Sequence, residues 1–216
     1  MQDLLIATRN AHKTTEFRQL LGPCFTVRDL TGLAAVPEVE ESGATFLENA
    51  RLKALAISRH FPGQLVLADD SGLEVDVLEG APGVHSARFA GRDAGDASNR
   101  ALLLRELEKR YARGKQRSAR FRCTLVLARD GREILHSQGD VPGWIIHRER
   151  GKEGFGYDPL FVPAGRCHTF AQLPPEDKNR LSHRCRAVES LLRKWASAAP
   201  GRETSPGPAE QPNHRV

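Results

Sequence analysis

Apolar residues occur along the chain in two alternating patterns: short continuous runs, and longer segments with an apolar residue every third or fourth position. Short runs bounded by turn residues are typical of buried strands, and the second spacing is typical of amphipathic helices. The patterns follow one another as strand–helix, strand, helix–strand, helix, β-hairpin and helix, which predicts an α/β fold around a mixed β-sheet. The elements that can be located are the strand DLLIAT, the helix AHKTTEFRQLLG, a helix that starts at Thr45, the strand QLVLADDSG, the helix ASNRALLLRELEKRYARG, the hairpin RFRCTLVLARDGREILHSQG, a further strand GWIIH and the last helix LSHRCRAVESLLRKWASA.

Turn and capping residues support two of these boundaries. Thr45 and Glu48 have the spacing of a capping box, in which two side chains satisfy backbone N–H groups at a helix N-terminus. Asp130-Gly131 is a dipeptide typical of the two-residue turn of a β-hairpin. The helix at Thr45 and the hairpin are therefore predicted from local chemistry as well as from apolar spacing.

The apolar pattern stops near residue 196, and the remainder is SAAPGRETSPGPAEQPNHRV. Proline, glycine, serine and other polar residues dominate this stretch, so it lacks the apolar side chains that a packed core needs. We predict a single domain over residues 1–196, formed by two lobes, and a disordered tail over residues 197–216.

Composition narrows the class of protein. The longest apolar runs are too short to span a bilayer, and the N-terminus MQDLL lacks the basic and apolar regions of a secretory signal. The four cysteines form no C-x-x-C pair and are predicted to be reduced and mostly buried, in a cytoplasmic protein. The net charge of +5 at pH 7 weakly favours a polyanionic ligand, either a nucleic acid or a triphosphate.

The stretch from Thr8 to Lys13 joins the first strand to the first helix. Backbone N–H groups at a helix N-terminus have no internal partner and the helix dipole adds partial positive charge, so an anion is stabilised there. Thr8 and Asn10 can donate side-chain hydrogen bonds, Lys13 adds a full charge, and Arg9 and His12 are further candidates. The stretch predicts a phosphate site; the alternative is an ordinary N-cap by Asn10 with an exposed Lys13.

Two acidic stretches, EVEES at residues 38–42 and ADDSG at residues 68–72, offer carboxylates for Mg²⁺. Mg²⁺ takes one or two carboxylates together with phosphate oxygens and water. We expect the strand to end at Asp69, Asp70 and a turn. If it continues through them, the two carboxylates point to opposite faces and only one can be a direct ligand. The alternative for DDSG is a turn with an Asx hydrogen bond.

Two glycine-containing stretches read as loops. EGAPGVHSARFAG, from Glu79, is predicted to be a tight structural loop whose Arg88 could reach an anion. In EGFGYDPLF, glycines flank Phe155, which allows close backbone approach and makes the ring a stacking platform for a base. The alternative for this second stretch is aromatic core packing beside a turn.

The stretch PEDKNRLSHR places Lys178, His183 and Arg184 before or at the start of the last helix. Their side chains can donate hydrogen bonds, which suits the carbonyl oxygens of a base. An amino group at the same place would leave buried donors unpaired, at a cost of roughly 1–3 kcal/mol per group. The alternative is a helix N-terminus capped by Ser182, with exposed basic residues.

Together these motifs resemble the inosine/xanthosine triphosphate pyrophosphatases, the Ham1-like house-cleaning nucleotide hydrolases. The resembling stretches, in order and within about residues 2 to 196, are ATRNAHK, EESGATFLENARLKA, LADDSGLEVDVLEGAPGVHSARFAG, GFGYDPLF and LSHRCRAVE. The resemblance implies an elongated, two-lobed α/β protein around a long mixed sheet, which uses Mg²⁺ and forms a homodimer. It also implies hydrolysis of ITP, dITP or XTP to the monophosphate and pyrophosphate, which keeps these nucleotides out of DNA and RNA.

The resemblance further implies the roles of individual residues. Asp70 is the expected catalytic base and a metal ligand, with Glu41 as the second ligand; the neighbouring Glu38 and Glu40 are alternatives for Glu41. The expected substrate contacts are Thr8, Arg9, Asn10, Ala11, His12 and Lys13 for the phosphates, Ser71, and Phe155, Gly156, Tyr157, Asp158, Lys178, His183 and Arg184 for the base.

Two rival functions fit part of the sequence. A nucleotide pyrophosphatase of broader specificity would have the same motifs. A non-catalytic nucleic-acid-binding protein would explain the positive charge, but the chain has no helix-turn-helix, zinc or ribonucleoprotein motif and the acidic DDSG cluster would have no role. We therefore expect a purine nucleoside triphosphate as the ligand, with no stable nucleic-acid complex and no membrane association.

Overall fold

The computed structural model describes residues 2–198, which form a six-stranded β-sheet flanked by helices. The strands are β1 (Gln2–Ile6), β2 (Phe25–Asp29), β3 (Val66–Val75), β4 (Ser118–Arg129), β5 (Arg132–Ile145) and β6 (Phe161–Pro163). The α-helices are α1 (Ala11–Leu21), α2 (Phe46–His60), α3 (Asp96–Lys109), α4 (Pro175–Leu181) and α5 (His183–Ala198). Short 3-10 segments occur at Asp76–Leu78, Gly83–Arg88, Gly114–Arg117 and Phe170–Gln172.

The strands lie in the order β2-β1-β3-β4-β5-β6. β1 pairs in parallel with β2 and with β3, and the other neighbours are antiparallel. Parallel neighbours need a crossover connection, and here the crossovers contain α1 and α2. β4 and β5 form the predicted hairpin, and Asp130 and Gly131 at its turn have positive φ angles of 52° and 71°. The mixed sheet with flanking helices confirms the predicted α/β class.

Side chains alternate between the two faces of β1 and so divide the core. Leu4 and Ile6 belong to a cluster formed with α1 and α5, whereas Leu5 belongs to a second cluster formed with α2. A third cluster contains Leu103 and Leu107 of α3, packed against the far ends of β3, β4 and β5. In β3 the first two clusters end at Ala68 and the third begins at Leu73, so the polar residues 69–71 lie between them.

The predicted capping box at α2 is confirmed. The Thr45 hydroxyl accepts a hydrogen bond from the Glu48 backbone N–H at 3.2 Å, and the Glu48 carboxylate accepts one from the Thr45 N–H at 3.1 Å. This pair sets the start of α2, the helix that carries two polar side chains toward Asp70 and Glu41.

Two strand predictions are wrong. β3 does not end at Asp69 and Asp70 but continues to Val75, because polar side chains from helices satisfy both carboxylates inside the sheet. GWIIH is not a separate strand, since Trp144 and Ile145 are the end of β5. Gly139, Pro142 and Gly143 lie within β5 and conceal its length in the sequence. β2 occupies the place of the strand expected between the first two helices, and the three-residue β6 was not predicted.

The last predicted helix is confirmed as α5, which begins at His183 rather than at Leu181, but the residues before it form a separate, unpredicted helix, α4. Ser182 has extended backbone angles (φ −71°, ψ 154°) and separates α4 from α5, so Lys178 lies within a helix of its own. The EGAPGVHSARFAG stretch is also more regular than a loop. Gly83–Arg88 within it forms a 3-10 segment, and another 3-10 segment, Asp76–Leu78, comes directly before it.

The cysteine prediction is correct in part. All four thiols are free, but only Cys123 and Cys185 are buried, whereas Cys24 and Cys167 are exposed. Cys24 and Cys167 lie in connections rather than in the buried faces of helices or strands. The predicted tail from residue 197 falls mainly on residues 199–216, which lie outside the described residues. Between residues 2 and 198 the structure contains no helix with the length and apolar character required to cross a bilayer.

Candidate active site

A cleft opens beside the middle of β3, and its walls carry residues from both ends of the chain. It encloses about 180 Å³. The predicted site residues that line it are Asn10, Lys13, Glu41, Asp70, Ser71, Phe155, Gly156, Tyr157, Asp158, Lys178, His183 and Arg184. The structure thus brings together residues that are widely separated in the sequence.

The other predicted contacts lie around the start of α1 but outside this cleft. Thr8 and Arg9 line an adjoining cavity of about 310 Å³, which Lys13 also borders. His12 lies in a third cavity, and Ala11 is the exposed first residue of α1. The predicted phosphate loop is therefore divided between neighbouring cavities, with Lys13 shared by the first two.

The N-terminus of α1 has an ordinary N-cap. The Asn10 side-chain oxygen Oδ1 accepts a hydrogen bond from the Lys13 backbone N–H at 3.1 Å, and the Thr8 hydroxyl accepts one from the Asn10 N–H at 3.1 Å. The N-cap alternative is therefore confirmed for Asn10, but Lys13 is not simply exposed, since its ammonium lies 3.0 Å from Asp69. The capped end retains the positive dipole charge that favours an anion.

Asp69 anchors two cations on one face of β3. Its carboxylate lies 3.0 Å from Lys13 Nζ and 3.5 Å from Arg184 Nη2. Burial acts to raise the pKa of Asp69, but the charges of Lys13, Arg184 and Lys53 outweigh it and hold that pKa well below its ordinary value. Asp69 is therefore a carboxylate that stays ionised and holds Lys13 and Arg184 beside the cleft.

Asp70 faces the opposite side of β3 and has the opposite shift. Its Oδ2 accepts a hydrogen bond from Asn49 Nδ2 at 3.1 Å, and its Oδ1 lies 3.7 Å from Lys53 Nζ. Burial raises the pKa of Asp70 to about 6, and the negative charge of Glu41 adds to this effect while Lys53 opposes it. A carboxylate in a cleft with a raised pKa is suited to exchange protons near neutral pH.

Glu41 completes an acidic pair with Asp70. Lys53 Nζ donates a hydrogen bond to Glu41 Oε1 at 2.8 Å, so one ammonium lies between the two carboxylates. Burial alone would raise the pKa of Glu41, but Lys53 holds it below its ordinary value. Between residues 2 and 198 no group of three or more His, Cys, Asp or Glu side chains surrounds a common point suited to a metal ion. Two carboxylates with open space beside them fit Mg²⁺, which completes its shell with phosphate oxygens and water.

Asn49 and Lys53 were not predicted as site residues. They lie one turn apart on α2, and Asn49 is fully buried against the sheet. A buried asparagine and a lysine on the flank of an apolar helix face are polar groups that need partners, and this is the signal that could have identified them. Their partners are Asp70 and Glu41, which are distant in the sequence.

At the other end of the cleft, Glu16 of α1 links the predicted base-binding cations. Its Oε1 accepts a hydrogen bond from Lys178 Nζ at 2.8 Å, and its Oε2 accepts one from Arg184 Nη1. Lys178 also donates to Asp158 at 2.7 Å, and Arg184 donates to the Ser71 hydroxyl at 3.0 Å. Glu16 was not predicted as a site residue, because in the sequence it is distinguished only by its position next to Phe17 in an ordinary helical pattern.

Two nitrogen atoms at this end have no hydrogen-bond partner in the part of the chain that the structure describes. They are Arg184 Nε and His183 Nδ1, both buried. The His183 ring stacks on Phe121 at 4.8 Å, and burial together with the charge of Arg184 lowers its pKa well below the ordinary value. His183 is therefore a neutral imidazole, which can donate from one ring nitrogen and accept at the other.

For the EGFGYDPLF and PEDKNRLSHR stretches, the alternatives of aromatic core packing and of a helix N-terminus capped by Ser182 are each correct in part. Tyr157 belongs to the core, where its hydroxyl donates to the Ser86 carbonyl at 2.9 Å, whereas Phe155 is half-buried at the cleft and stacks on His12 at 5.4 Å. The Ser182 hydroxyl accepts the Cys185 N–H at 3.0 Å and so caps α5. Lys178 and Arg184 are nevertheless buried rather than exposed.

Arg88, the candidate anion contact in the 3-10 segment, instead holds the Glu41 loop. Its Nη2 donates to the Glu41 carbonyl oxygen at 3.2 Å, and its Nη1 lies 3.5 Å from the Glu41 carboxylate. The segment packs closely against β3 at Gly72, where a β-carbon would overlap the Gly83 carbonyl and the Ser86 hydroxyl. Gly72 therefore allows the segment to form a wall of the cleft.

Comparison with curated proteins gives close relatives. The chain is 51% identical over 190 residues to a dITP/XTP pyrophosphatase of Streptococcus pyogenes serotype M1, a match that covers 88% of this chain and 57% of that protein. It is 52% identical over 190 residues to the protein of the same name from Streptococcus thermophilus strain CNRZ 1066, covering 88% of this chain and 58% of the relative. The chain thus spans little more than half the length of these relatives.

Solved structures match along nearly their whole length. A HAM1 protein from Coxiella burnetii superposes with a TM-score of 0.80 at 39% identity, covering 92% of this chain and 100% of that one. A nucleoside-triphosphatase, dITP/XTP pyrophosphatase, from Mycobacterium abscessus gives a TM-score of 0.71 at 41% identity, covering 88% and 99%. The sequence model of the Ham1 family matches residues 4–194 of this chain. This chain belongs to the Ham1 family.

Proposed function

We propose that the protein is a nucleoside triphosphate pyrophosphatase that hydrolyses the non-standard purine nucleotides ITP, dITP and XTP to the monophosphate and pyrophosphate. One observation carries the proposal: a single cleft contains Lys13 at a helix N-terminus, the carboxylates of Glu41 and Asp70, and the half-buried ring of Phe155. A nucleotide has a polyanion at one end and a flat ring at the other, so the cleft is complementary to it at both ends. The relatives named dITP/XTP pyrophosphatase support dITP and XTP as substrates.

In this proposal Lys13 and the N-terminus of α1 bind the triphosphate. Asp70 orients a water molecule against the α-phosphorus and accepts its proton, for which a pKa near 6 leaves it mostly ionised at neutral pH. Glu41 and Asp70 would hold Mg²⁺, which when bound supplies positive charge that offsets the charge of the phosphates. Asn49 fixes the orientation of the Asp70 carboxylate.

Selectivity is proposed to arise at the aromatic end. The 6-keto oxygen of hypoxanthine or xanthine accepts hydrogen bonds, and Arg184 Nε together with the His183 tautomer protonated at Nδ1 can donate to it. The 6-amino group of adenine presents a donor at the same place, which would leave the buried Arg184 Nε–H unsatisfied. The pairing of Lys178 and Arg184 with Glu16 holds their side chains in fixed positions before a base binds.

We further propose that the enzyme requires Mg²⁺, forms a homodimer and acts in the cytoplasm, without a stable nucleic-acid complex. The acidic pair of Glu41 and Asp70 supports the metal, and the family resemblance is the basis for the other three. Analytical ultracentrifugation of the full chain tests the dimer directly.

A substrate panel tests the proposed function. Pyrophosphate release is measured from ITP, XTP, dITP, GTP and ATP, with Mg²⁺ and with a chelator. We expect kcat/KM for ITP or XTP to exceed that for ATP by about 100-fold or more, since a site built on hydrogen bonds rejects a mismatched group strongly. Similar values for all five nucleotides would favour a pyrophosphatase of broad specificity instead.

A further inference from the structure

The backbone N–H and carbonyl groups of Gly156 are both held by one helix. Gly156 lies between Phe155 and Tyr157 in the wall of the cleft and has a positive φ of 61°, a conformation that glycine adopts without strain. Its N–H donates to Asp96 Oδ2 at 2.7 Å, and its carbonyl oxygen accepts from Arg100 Nη1 at 2.9 Å. Asp96 and Arg100 are one turn apart on α3 and share a face. The backbone orientation at Gly156 is therefore set by α3.

The two α3 side chains are themselves placed by the fold. Asp96 is the first residue of α3, where the helix dipole stabilises a carboxylate, and it lines the cleft. Arg100 Nε lies 2.8 Å from Glu149 Oε1, as an ion pair rather than an aligned hydrogen bond. The Arg100 side chain is only 14% exposed, so its hydrogen bond to the Gly156 carbonyl is shielded from water.

The same helix also holds a second segment that lines the cleft. Asn99 accepts a hydrogen bond from the Ala90 N–H at 2.8 Å and donates one to the Ala87 carbonyl at 3.1 Å, and Ala87 lines the cleft. One rigid element thus fixes two walls relative to each other.

We infer that Asp96 and Arg100 are positioning residues that act through Gly156 to set Phe155 for the purine ring, an inference that rests on the proposed function. Small displacements of a binding group cost much affinity and rate, and Gly156 is bonded directly to Phe155 in the chain. α3 does not depend on the two side chains for its own packing, because Leu103 and Leu107 hold it in the core with no exposed surface. Variants at Asp96 and Arg100 are therefore expected to fold.

The test compares D96A and R100A with the exposed neighbours D93A and R105A as matched controls. Loss of one charge-assisted hydrogen bond is expected to raise KM for XTP about tenfold, with kcat nearly unchanged. The preference for XTP over ATP in kcat/KM is expected to fall by about the same factor, because a displaced Phe155 no longer aligns the base with its donors. D96N keeps an acceptor oxygen and is expected to retain the wild-type KM within about twofold.

A spectroscopic readout accompanies the kinetics. With ¹⁵N-glycine labelling, D96A is expected to move the Gly156 amide resonance, which in the wild type reports a hydrogen bond to a carboxylate, whereas D93A leaves it in place. Wild-type KM and selectivity in D96A and R100A, or equal loss of kcat on every substrate together with a lower melting temperature, would overturn the inference. A wild-type protein that releases no pyrophosphate from any nucleotide would instead count against the proposed function.

Discussion

Asp69 and Asp70 are adjacent in β3, yet their carboxylates lie on opposite faces of the sheet and their pKa values are shifted in opposite directions. Burial acts to raise both pKa values. At Asp69 the nearby cations Lys13 and Arg184 outweigh burial, whereas at Asp70 the negative charge of Glu41 reinforces it. The two residues should therefore have different roles: Asp69 holds cations in position, and Asp70 exchanges a proton.

Asp70→Asn is expected to lower kcat for ITP by about 10² to 10⁴-fold, because an amide cannot accept the proton of the attacking water. KM measured at saturating Mg²⁺ is expected to change little. The matched variant Asp69→Asn removes the anchor of Lys13 and Arg184 instead, so it is expected to raise KM more than it lowers kcat. Steady-state kinetics of both variants check the division of roles; an active Asp70→Asn enzyme would remove Asp70 from the role of base.

Asp70 also makes a prediction about stability in metal-free buffer. Its pKa is about 6 in the folded protein, against an ordinary value of 3.8, so between these values the folded state holds a proton that the unfolded state has lost. The contribution of Asp70 to the free energy of unfolding therefore falls as pH rises through this window, by on the order of 3 kcal/mol for a shift of two pKa units. The Asp70→Asn side chain does not titrate, so the variant does not lose this stability as pH rises.

Urea unfolding with a chelator at several pH values between 4 and 7 measures this effect. The stability of Asp70→Asn relative to the wild type is expected to increase with pH up to about 6 and to level off above it. A difference that stays constant over the range would show that the Asp70 pKa is not raised.

His183 is expected to give a pH dependence of opposite sign. Its folded pKa lies well below the ordinary value of 6.5, so below pH 6.5 the unfolded state binds a proton that the folded state does not. The contribution of His183 to the free energy of unfolding should therefore fall as pH falls, by about 1.4 kcal/mol per pH unit below 6.5. His183→Gln is expected to flatten this limb in urea unfolding, and the exposed His85→Gln is expected to leave it unchanged. The same slope in both variants would contradict the assignment to His183.

Arg184→Ala is expected to destabilise the protein by about 3–5 kcal/mol, because it leaves the buried carboxylates of Glu16 and Asp69 without one of their cations. Arg186, on the same helix, is exposed, and Arg186→Ala is expected to cost about 1 kcal/mol or less. Urea unfolding of the two variants compares them. Equal losses would mean that the buried network contributes nothing beyond a surface arginine.

Local signals in the sequence were sufficient for the elements that depend on neighbouring residues. The capping box of Thr45 and Glu48 and the turn at Asp130-Gly131 are formed within a few residues, and both are present as predicted. The continuation of β3 through Asp69 and Asp70 is different, because the groups that make buried carboxylates tolerable come from α1, α2 and α5. The spacing of apolar residues along the sequence does not reveal these distant partners.

The same distinction explains which site residues were missed. Lys13, Phe155 and Arg184 belong to motifs with their own local character, and they meet in the cleft. Glu16 and Asn49 occur inside ordinary helical sequences, and what distinguishes them is burial against partners far along the chain. Their importance arises from tertiary contacts that no local pattern encodes.

If the cleft directs water to the α-phosphorus of a purine triphosphate, the oxygen atom of that water enters the monophosphate. Hydrolysis of ITP in H₂¹⁸O, with the products resolved by mass spectrometry and ³¹P NMR, tests it most directly. The account predicts IMP that carries one ¹⁸O atom, together with unlabelled pyrophosphate. Formation of IDP and orthophosphate, or ¹⁸O in the pyrophosphate, would contradict it.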